Sequence, residues 1–279
     1  MYYPGQVLGS GASHSGEHQL LCPMAKGIIS DMDGVIYRGK NLIPGANEFV
    51  QRIKQAGVPF LFLTNATEST PAQLLEKLAS RGISGLVEAN FITASMTTAM
   101  FLQVQHPGAR VHVIGESGLS IALEQAGCHL VDNAADYVVV GKTLEFNFAQ
   151  MKLATRLIDQ GAKFIGTNPD IIDPMDDGNE PACGAILASI ACATGKTPYI
   201  VGKPNALMMT LATRKLGLHP DDAVMIGDRM DTDIRGGMEA GMTTCLVLTG
   251  VSSRADIEHF PYRPDYVFTS IAEIDPLAW

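Results

Sequence analysis

Four short segments of the chain share one pattern, an apolar run that stops abruptly at polar residues. If each run is a buried parallel strand, the polar ends converge on one edge of a sheet, where open α/β folds bind their ligands. The site would then hold three or four carboxylates, a hydroxyl and an ammonium, a set suited to a divalent cation and a phosphoryl group. The segments are Ile-Ile-Ser-Asp-Met-Asp-Gly-Val (28–35), Phe-Leu-Phe-Leu-Thr-Asn (60–65), Ile-Val-Gly-Lys-Pro (200–204) and Val-Met-Ile-Gly-Asp (224–228), the last continuing to Asp233.

The composition supports a globular protein that acts on small molecules. With 279 residues, 46% of them hydrophobic, the chain can build a sizeable core in one large or two modest domains. Its formal charge of -9 argues against binding a nucleic-acid polymer, because such binding needs many Lys and Arg to neutralise phosphates. The net negative charge does not exclude binding of a single small phosphate, because one lysine, one arginine and a metal can make a local positive pocket.

The cysteines and the apolar stretches indicate a soluble cytoplasmic protein. No stretch approaches the roughly 18 apolar residues of a membrane span, and no basic segment followed by an apolar core marks export. We therefore expect reduced thiols, no membrane partner and no export. The five cysteines are scattered and form no C-x-x-C pair: Cys22, Cys128, Cys183, Cys192 and Cys245.

Order signals begin near Ala25, so residues 1–24 are interpreted as a disordered tail or leader. From there, short apolar runs alternate with helical patterns, which is typical of an α/β fold. Gly45 and Gly57 bracket one predicted helix. A second begins at Thr70-Pro71-Ala72-Gln73, which offers an N-cap, a proline at the first helical position and a capping-box glutamine.

A block of about a hundred residues separates the second and third apolar segments, too long for a loop. It contains its own strand and helix patterns and is therefore predicted to be an inserted second domain. The resulting division is 25–98 for the first part of the core, 99–198 for the insert and 199–279 for the second part. The first sheet is expected to resume with the strand at 199–201.

Asp31 and Asp33 are the most informative pair of carboxylates. An extended backbone places alternate side chains on the same side, and two carboxylates that close repel unless a cation or a proton intervenes. Asp31 could attack phosphorus to give an acyl phosphate, while Asp33 protonates the leaving group and later activates water. The alternative is that the pair merely caps a turn between a strand and a helix.

The other segment ends each have a functional and an ordinary interpretation. Thr64 and Asn65 could bind phosphate oxygens or simply form a turn. Lys203 could neutralise phosphate charge or be a solvated loop residue. Arg229 could touch substrate or lie on the surface.

Three carboxylates follow the last apolar run. Asp228 and Asp233 could serve a metal site or complement a helix start. Asp231 could also face the site, so which of Asp231 and Asp233 supports the metal stays open.

The order D-x-D-G-V, a hydrophobic strand ending in T-N, G-K-P and G-D-x-x-x-x-D resembles the haloacid-dehalogenase-like phosphohydrolase superfamily. The resemblance implies a Rossmann-like parallel-sheet core with an inserted α/β cap domain, and Mg²⁺ as cofactor. The implied roles are Asp31 as nucleophile, Asp33 as acid and base, Thr64 as phosphate ligand, Lys203 as the neutralising lysine, Asp228 as metal ligand together with Asp31 and the Asp33 carbonyl, and Asp233 as support for the metal site.

Further stretches resemble the NagD-like branch, the ribonucleotide monophosphatase type with a large α/β cap. They are Gly-Thr-Asn-Pro-Asp (166–170), Pro-Ala-Cys-Gly (181–184), Tyr-Ile-Val-Gly-Lys-Pro (199–204) and Leu-Thr-Gly-Val-Ser-Ser (248–253). The chain departs from this pattern at 171–180, which is acidic. That acidity disfavours an anionic leaving group, unless the segment is simply a solvated loop.

These features favour a Mg²⁺-dependent phosphatase that hydrolyses small phosphomonoesters, such as nucleoside 5′-monophosphates and sugar phosphates, through a phosphoaspartyl intermediate. Phosphatases for p-nitrophenyl phosphate, phosphoglycolate or pyridoxal phosphate, a phosphomutase, and a non-catalytic phosphometabolite-binding protein are the alternatives. Cys183 is interpreted as a buried thiol, since no histidine is placed to activate it. Whether the protein forms a homo-oligomer stays open.

Overall fold

The computed structural model describes residues 27–175 and 178–277, and the predicted tail at 1–24 lies outside these ranges. Within them the strands are β1 Gly27–Ser30, β2 Tyr37–Arg38, β3 Asn41–Leu42, β4 Phe60–Thr64, β5 Phe91–Thr93, β6 Arg110–Ile114, β7 His129–Leu130, β8 Tyr137–Val140, β9 Lys163–Gly166, β10 Ile172–Met175, β11 Gly178–Pro181, β12 Tyr199–Ile200, β13 Ala223–Gly227, β14 Thr243–Val247 and β15 Tyr266–Phe268. The α-helices of the same ranges are α1 Ala46–Ala56, α2 Pro71–Ser80, α3 Ala94–Gln105, α4 Ser117–Gln125, α5 Phe148–Asp159, α6 Cys183–Thr194, α7 Ala206–Leu216 and α8 Arg235–Ala240.

Six parallel strands form the core sheet, in the order β15-β14-β13-β1-β4-β5. Its central strands are continuous buried apolar runs, as expected for parallel strands covered on both faces. Phe49 of α1 and Leu74 of α2 pack in the apolar cluster on one face, and Met208 of α7 packs on the other. Because β1 lies between β13 and β4, the residues that follow these three strands meet at one edge.

A second sheet of five parallel strands, the cap sheet, is inserted between β5 and β13 in the order β12-β9-β8-β6-β7. Leu157 of α5 and Ile186 of α6 pack on one of its faces, and Leu102 of α3 and Leu119 of α4 on the other. β10 and β11 form an antiparallel hairpin beside it. The predicted fold, a parallel α/β core with an inserted α/β cap, is confirmed.

The strand at Tyr199–Ile200 corrects one expectation. It was predicted to continue the core sheet, but β12 pairs with β9 and is the edge strand of the cap sheet. A two-residue strand carries too little pattern to specify its partner, so only the tertiary structure decides which sheet it joins. The core sheet instead gains β5 and β15, which sequence analysis did not identify.

Helix boundaries follow the local sequence signals. α1 begins after Gly45 and ends at Gly57, whose φ of 65° suits a residue without a side chain. α2 begins at the capping box formed by Thr70 and Gln73. α3 runs across the division predicted at 98/99, because its second half packs against the cap sheet. The boundaries of core and cap therefore stay a prediction at the level of single residues.

No helix within the described ranges combines the length and the apolar character that crossing a membrane requires.

The capping box of α2 gives a stability prediction. Thr70 Oγ1 accepts the Gln73 N–H at 3.3 Å, and Gln73 Oε1 accepts the Thr70 N–H at 2.8 Å. We expect Thr70→Ala to lower the free energy of unfolding by about 1 kcal/mol, measured by urea denaturation with an unchanged m-value. Thr155→Ala is the matched control, because that hydroxyl only donates back to Met151 O inside α5. An equal loss in both variants would contradict the cap's contribution.

Candidate active site

The carboxyl ends of β1, β4 and β13 open into a cavity of about 460 Å³ between the core sheet and the cap. Asp31 follows β1, Thr64 ends β4 and Asp228 follows β13. All three are buried, with exposed fractions of 7%, 5% and 2%, and all three line the cavity. The structure thus brings together residues that are far apart in the sequence, as the strand pattern predicts.

Lys203 lies at the centre of this site. Its Nζ is 2.8 Å from Asp31 Oδ1 and 2.7 Å from Asp233 Oδ1, and the residue is 1% exposed. Burial by itself would lower the pKa of Lys203, but the ion pairs with Asp233 and Asp31 outweigh it and raise the pKa above its usual range. The lysine is therefore a fixed positive charge and not a solvated loop residue.

Three carboxylates surround this single ammonium. One oxygen from each of Asp31, Asp228 and Asp233 lies within 4.8 Å of the others, and all three residues are buried. Burial raises the pKa of each, and Asp233 and Asp31 raise the pKa of Asp228 further. Like charges this close are costly without compensation. Since hard divalent cations prefer carboxylate oxygens, the residues present fit such an ion.

The backbone around Asp228 leaves no room for another side chain. A Cβ on Gly250 would lie 1.9 Å from Asp228 Oδ2, and one on Gly34 would lie 2.4 Å from the same atom. Gly34 also has a φ of +74°, a conformation that residues with side chains rarely adopt. Asp228 Oδ2 accepts the Val251 N–H at 2.7 Å. The carboxylate is thus held by close backbone contacts.

Asp33 lies apart from the three clustered carboxylates. Asp33 lines the same cavity as Asp31, but the expected extended strand is wrong: β1 ends at Ser30 and the chain turns, with Met32 O accepting the N–H groups of Val35, Ile36 and Tyr37. The Asp33 side chain is accessible from the cavity, whose walls desolvate it and raise its pKa, while Lys77 opposes that rise. A carboxyl group that holds its proton more readily is suited to donating it.

Thr64 and Asn65 have different surroundings. Thr64 Oγ1 accepts the Ala66 N–H at 3.1 Å and lies on the cavity wall. Asn65 Nδ2 donates to Asp170 Oδ2 and to the carbonyl of Lys203, and its Oδ1 accepts the Lys203 N–H. Both hydrogens of the Asn65 amide are therefore engaged within the protein. Asn65 was expected to bind phosphate through its amide or backbone N–H, or to form a turn; it lines the cavity, and the contacts of its amide favour a supporting role for the side chain.

Asp231 and Asp233 both lie in the π-helical turn Met230–Ile234, but their side chains have different surroundings. Asp233 is fully buried, pairs with Lys203 and accepts the Arg229 N–H at 3.1 Å. The Asp231 side chain is 52% exposed and pairs with the Arg229 guanidinium. Arg229 lines the cavity and also lies 3.6 Å from Asp170. Of the two aspartates, Asp233 is the one that belongs to the buried cluster.

Several cap residues of the cavity were not predicted as site residues. Lys142 forms an ion pair with Asp173 of the hairpin and lies 3.9 Å from Glu180 and 4.0 Å from Glu68. The described acidic residues of the 171–180 segment are therefore paired rather than simply solvated. A lysine whose partners are distant in sequence carries no local signal, so sequence analysis could not identify it.

The remaining candidate nucleophile, Cys183, is a buried thiol, as sequence analysis interpreted it. Burial raises the pKa of Cys183 to about 11, and its Sγ donates to Val140 O at 3.4 Å. A thiol with a raised pKa is a poor nucleophile at neutral pH.

Comparisons with known proteins identify the family of the chain. Residues 28–129 match the family model described as haloacid dehalogenase-like hydrolase, and residues 200–274 match the HAD-hydrolase-like model. The chain is 42% identical to a dihydroxyacetone phosphatase from Corynebacterium glutamicum, covering 88% of this chain and 89% of the relative. It is 39% identical to the ribonucleotide monophosphatase NagD from Escherichia coli, covering 90% of this chain and 98% of the relative.

Solved structures give the same result. The NagD structure from E. coli K-12 has a TM-score of 0.84 at 38% identity and covers 91% of this chain and 100% of its own. A p-nitrophenyl phosphatase from Archaeoglobus fulgidus has a TM-score of 0.85 at 38% identity, with 90% and 98% covered. The chain therefore belongs to the haloacid dehalogenase-like hydrolases. Within that family it lies in the NagD-like branch.

The buried carboxylates predict cation binding that a stability measurement detects. We expect MgCl₂ to raise the melting temperature, because a ligand that binds only the folded state stabilises that state. At a concentration of about 100 times the dissociation constant, the free energy of unfolding rises by about 2.7 kcal/mol. Asp228→Asn should abolish this rise, and without metal it should be at least as stable as the wild type because a buried like charge is removed. The control Asp231→Asn should keep the rise. A full rise in Asp228→Asn would contradict this cation site.

Proposed function

We propose that the protein is a phosphoric monoester hydrolase that transfers the phosphoryl group of a small substrate to Asp31 and then to water. The observation that carries the proposal is the buried arrangement of Asp31, Lys203 and Asp228 at the floor of an accessible cavity. A binding protein needs no carboxylate aimed into its ligand site and paired with a buried lysine. Membership of a family rich in phosphatases supports the same reaction.

Asp31 is the proposed nucleophile. Its Oδ1 accepts the Met32 N–H at 2.8 Å and pairs with Lys203, so we assign Oδ2 as the attacking atom. Attack forms a bond from Oδ2 to phosphorus and breaks the bond from phosphorus to the leaving oxygen, which takes a proton from Asp33. Water then gives its proton to Asp33, attacks the acyl phosphate and releases inorganic phosphate and the free Asp31 carboxylate.

Lys203 offsets the negative charge that accumulates on Asp31 and the transferred group. Asp31, Asp228 and the Asp33 carbonyl would hold the cation, which we take to be Mg²⁺, with Asp233 supporting them. When bound, the cation supplies positive charge next to the phosphoryl oxygens. The Thr64 hydroxyl is the proposed phosphate ligand from β4, and Arg229 lies where it can contact bound substrate.

The cap favours small substrates. It closes over a cavity of about 460 Å³, which suits a metabolite better than a phosphoprotein segment. Similar proteins are named dihydroxyacetone phosphatase, ribonucleotide monophosphatase and acid sugar phosphatase. We therefore propose nucleoside 5′-monophosphates and sugar phosphates as substrates, and a cytoplasmic location consistent with the free buried thiols Cys128 and Cys183.

The nucleophile assignment gives a direct test. We expect Asp31→Asn to lower kcat for p-nitrophenyl phosphate by about 10⁴-fold or more, since an amide cannot form the acyl phosphate. EDTA should silence the wild type, and MgCl₂ should restore it. Cys183→Ser is the control and should stay active, because a serine hydroxyl can donate to the same Val140 carbonyl. Full activity of Asp31→Asn, or of the EDTA-treated wild type, would rule out the mechanism.

Water labelled with ¹⁸O separates the two remaining alternatives. A phosphatase places the label in inorganic phosphate, whereas a phosphomutase returns the phosphoryl group to the organic molecule without it. A non-catalytic binding protein releases no phosphate at all. A panel of nucleotides and sugar phosphates ranked by kcat/KM would then identify the preferred class, because this ratio reports transition-state discrimination.

A further inference from the structure

The residue that supplies the central positive charge reaches the site from the cap sheet. Within the described ranges β12 is two residues long and pairs with β9 alone, so its strand pairing ends before Lys203. Val201 N donates to Gly166 O at 3.0 Å and Gly202 N to Thr167 O at 2.7 Å, which continues the attachment to the cap. Lys203 must nevertheless meet Asp31, which follows a core strand. The chain enters the core helix α7 at Ala206, and a further contact ties the backbone of Lys203 itself to the core.

Asn65 makes that contact from the end of β4. Its Oδ1 accepts the Lys203 N–H at 2.8 Å, and its Nδ2 donates to the Lys203 carbonyl at 3.2 Å. One carboxamide thus holds both polar backbone groups of the lysine. The Asn65 side chain is buried, where such hydrogen bonds are shielded from competing water.

The same asparagine is itself held by the cap. Asn65 Nδ2 also donates to Asp170 Oδ2 at 3.0 Å, and Asn168 Nδ2 donates to Asn65 O at 2.7 Å. The Asn65 carboxamide also packs tightly against Gly202, because a Cβ on that glycine would lie 2.6 Å from Asn65 Oδ1. Asn65 therefore has one orientation, fixed from two sides.

We propose that Asn65 is a positioning residue that places the Lys203 ammonium between Asp31 and Asp233, and that Asp170 orients Asn65 for this task. The proposal rests on the hydrolase function proposed above. It gives Asn65 a role in the chemical step without contact to the substrate. A lysine has a long flexible side chain, so fixing its backbone limits where its charge can lie.

Removing the carboxamide tests this role. We expect Asn65→Ala to lower kcat by about 100-fold, the loss typical of a misplacement near 1 Å, while KM changes little. The loss should be equal for p-nitrophenyl phosphate and glycerol phosphate, because Lys203 acts on the phosphoryl group and not on the leaving group. Thermal unfolding of each variant sets the temperature at which all samples are fully folded.

Asn90→Ala is the matched control. Asn90 also joins backbone segments through its carboxamide, with Nδ2 donating to Phe60 O and Oδ1 accepting the Val87 N–H, but at the opposite end of β4. It should lose stability and keep kcat. Equal losses of kcat in Asn65→Ala and Asn90→Ala would overturn the proposal, since both would then reflect a loosened fold.

Exchanging the carboxamide of Asn65 and the carboxylate of Asp170 provides the second test. In Asn65→Asp the introduced carboxylate cannot donate to Asp170 Oδ2 or to the Lys203 carbonyl, so kcat should fall at least as far as in Asn65→Ala. Adding Asp170→Asn restores a donor opposite that carboxylate and should raise kcat about tenfold over Asn65→Asp, the value of one recovered buried hydrogen bond. Asp170→Asn alone should not raise kcat.

The outcomes separate this proposal from the one it rests on. An inactive wild type would defeat the hydrolase function itself. An active wild type with an unchanged kcat in Asn65→Ala would defeat only the positioning role, as would a double variant no faster than Asn65→Asp. A rise in KM with unchanged kcat would also defeat it, because it would make Asn65 a substrate ligand instead.

Discussion

The site depends on one buried ammonium that faces three buried carboxylates. Lys203 pairs directly with Asp31 and Asp233, and Asp228 completes the cluster. Removing four charged groups from water costs more than any one of their ion pairs returns, unless further partners compensate the excess negative charge. The buried charges lie at the ends of strands, where backbone N–H groups donate to the carboxylates and glycines allow the backbone to approach them closely. Such local conflict with stability is the usual mark of a site kept for chemistry.

This cluster joins the two sheets of the molecule. Asp31 and Asp228 follow core strands, whereas Lys203 follows the edge strand of the cap sheet. The hydrogen bond from Asn65 to Asp170 also links the two domains, because the asparagine belongs to the core and the aspartate to the cap. A displacement of one sheet relative to the other would therefore move the central charge. The geometry of the reacting groups is tied to the packing of core against cap.

The cap adds a layer of paired charges over the cavity. Lys142 connects the hairpin residues Asp173 and Glu180 to Glu68 in the loop after β4. Of these residues, Lys142, Asp173 and Glu68 line the same cavity as Asp31 and Asp228. The cap thus contributes charged side chains to the cavity in addition to Lys203.

The sequence alone determined the α/β class, the inserted cap and several of the residues that line the cavity at the edge of the core sheet. This was possible because buried parallel strands are continuous apolar runs, and because Asp31 and Asp228 follow such strands directly and Thr64 ends one. The start of a helix could also be predicted where its capping residues are close together in the sequence, as with Thr70 and Gln73 at the start of α2. Tertiary structure alone decided that β12 joins the cap sheet, that Asp233 rather than Asp231 is buried, and that Asn65 holds Lys203. These facts depend on contacts between residues far apart in the chain, and local periodicity carries no information about which distant partner a strand or side chain will meet.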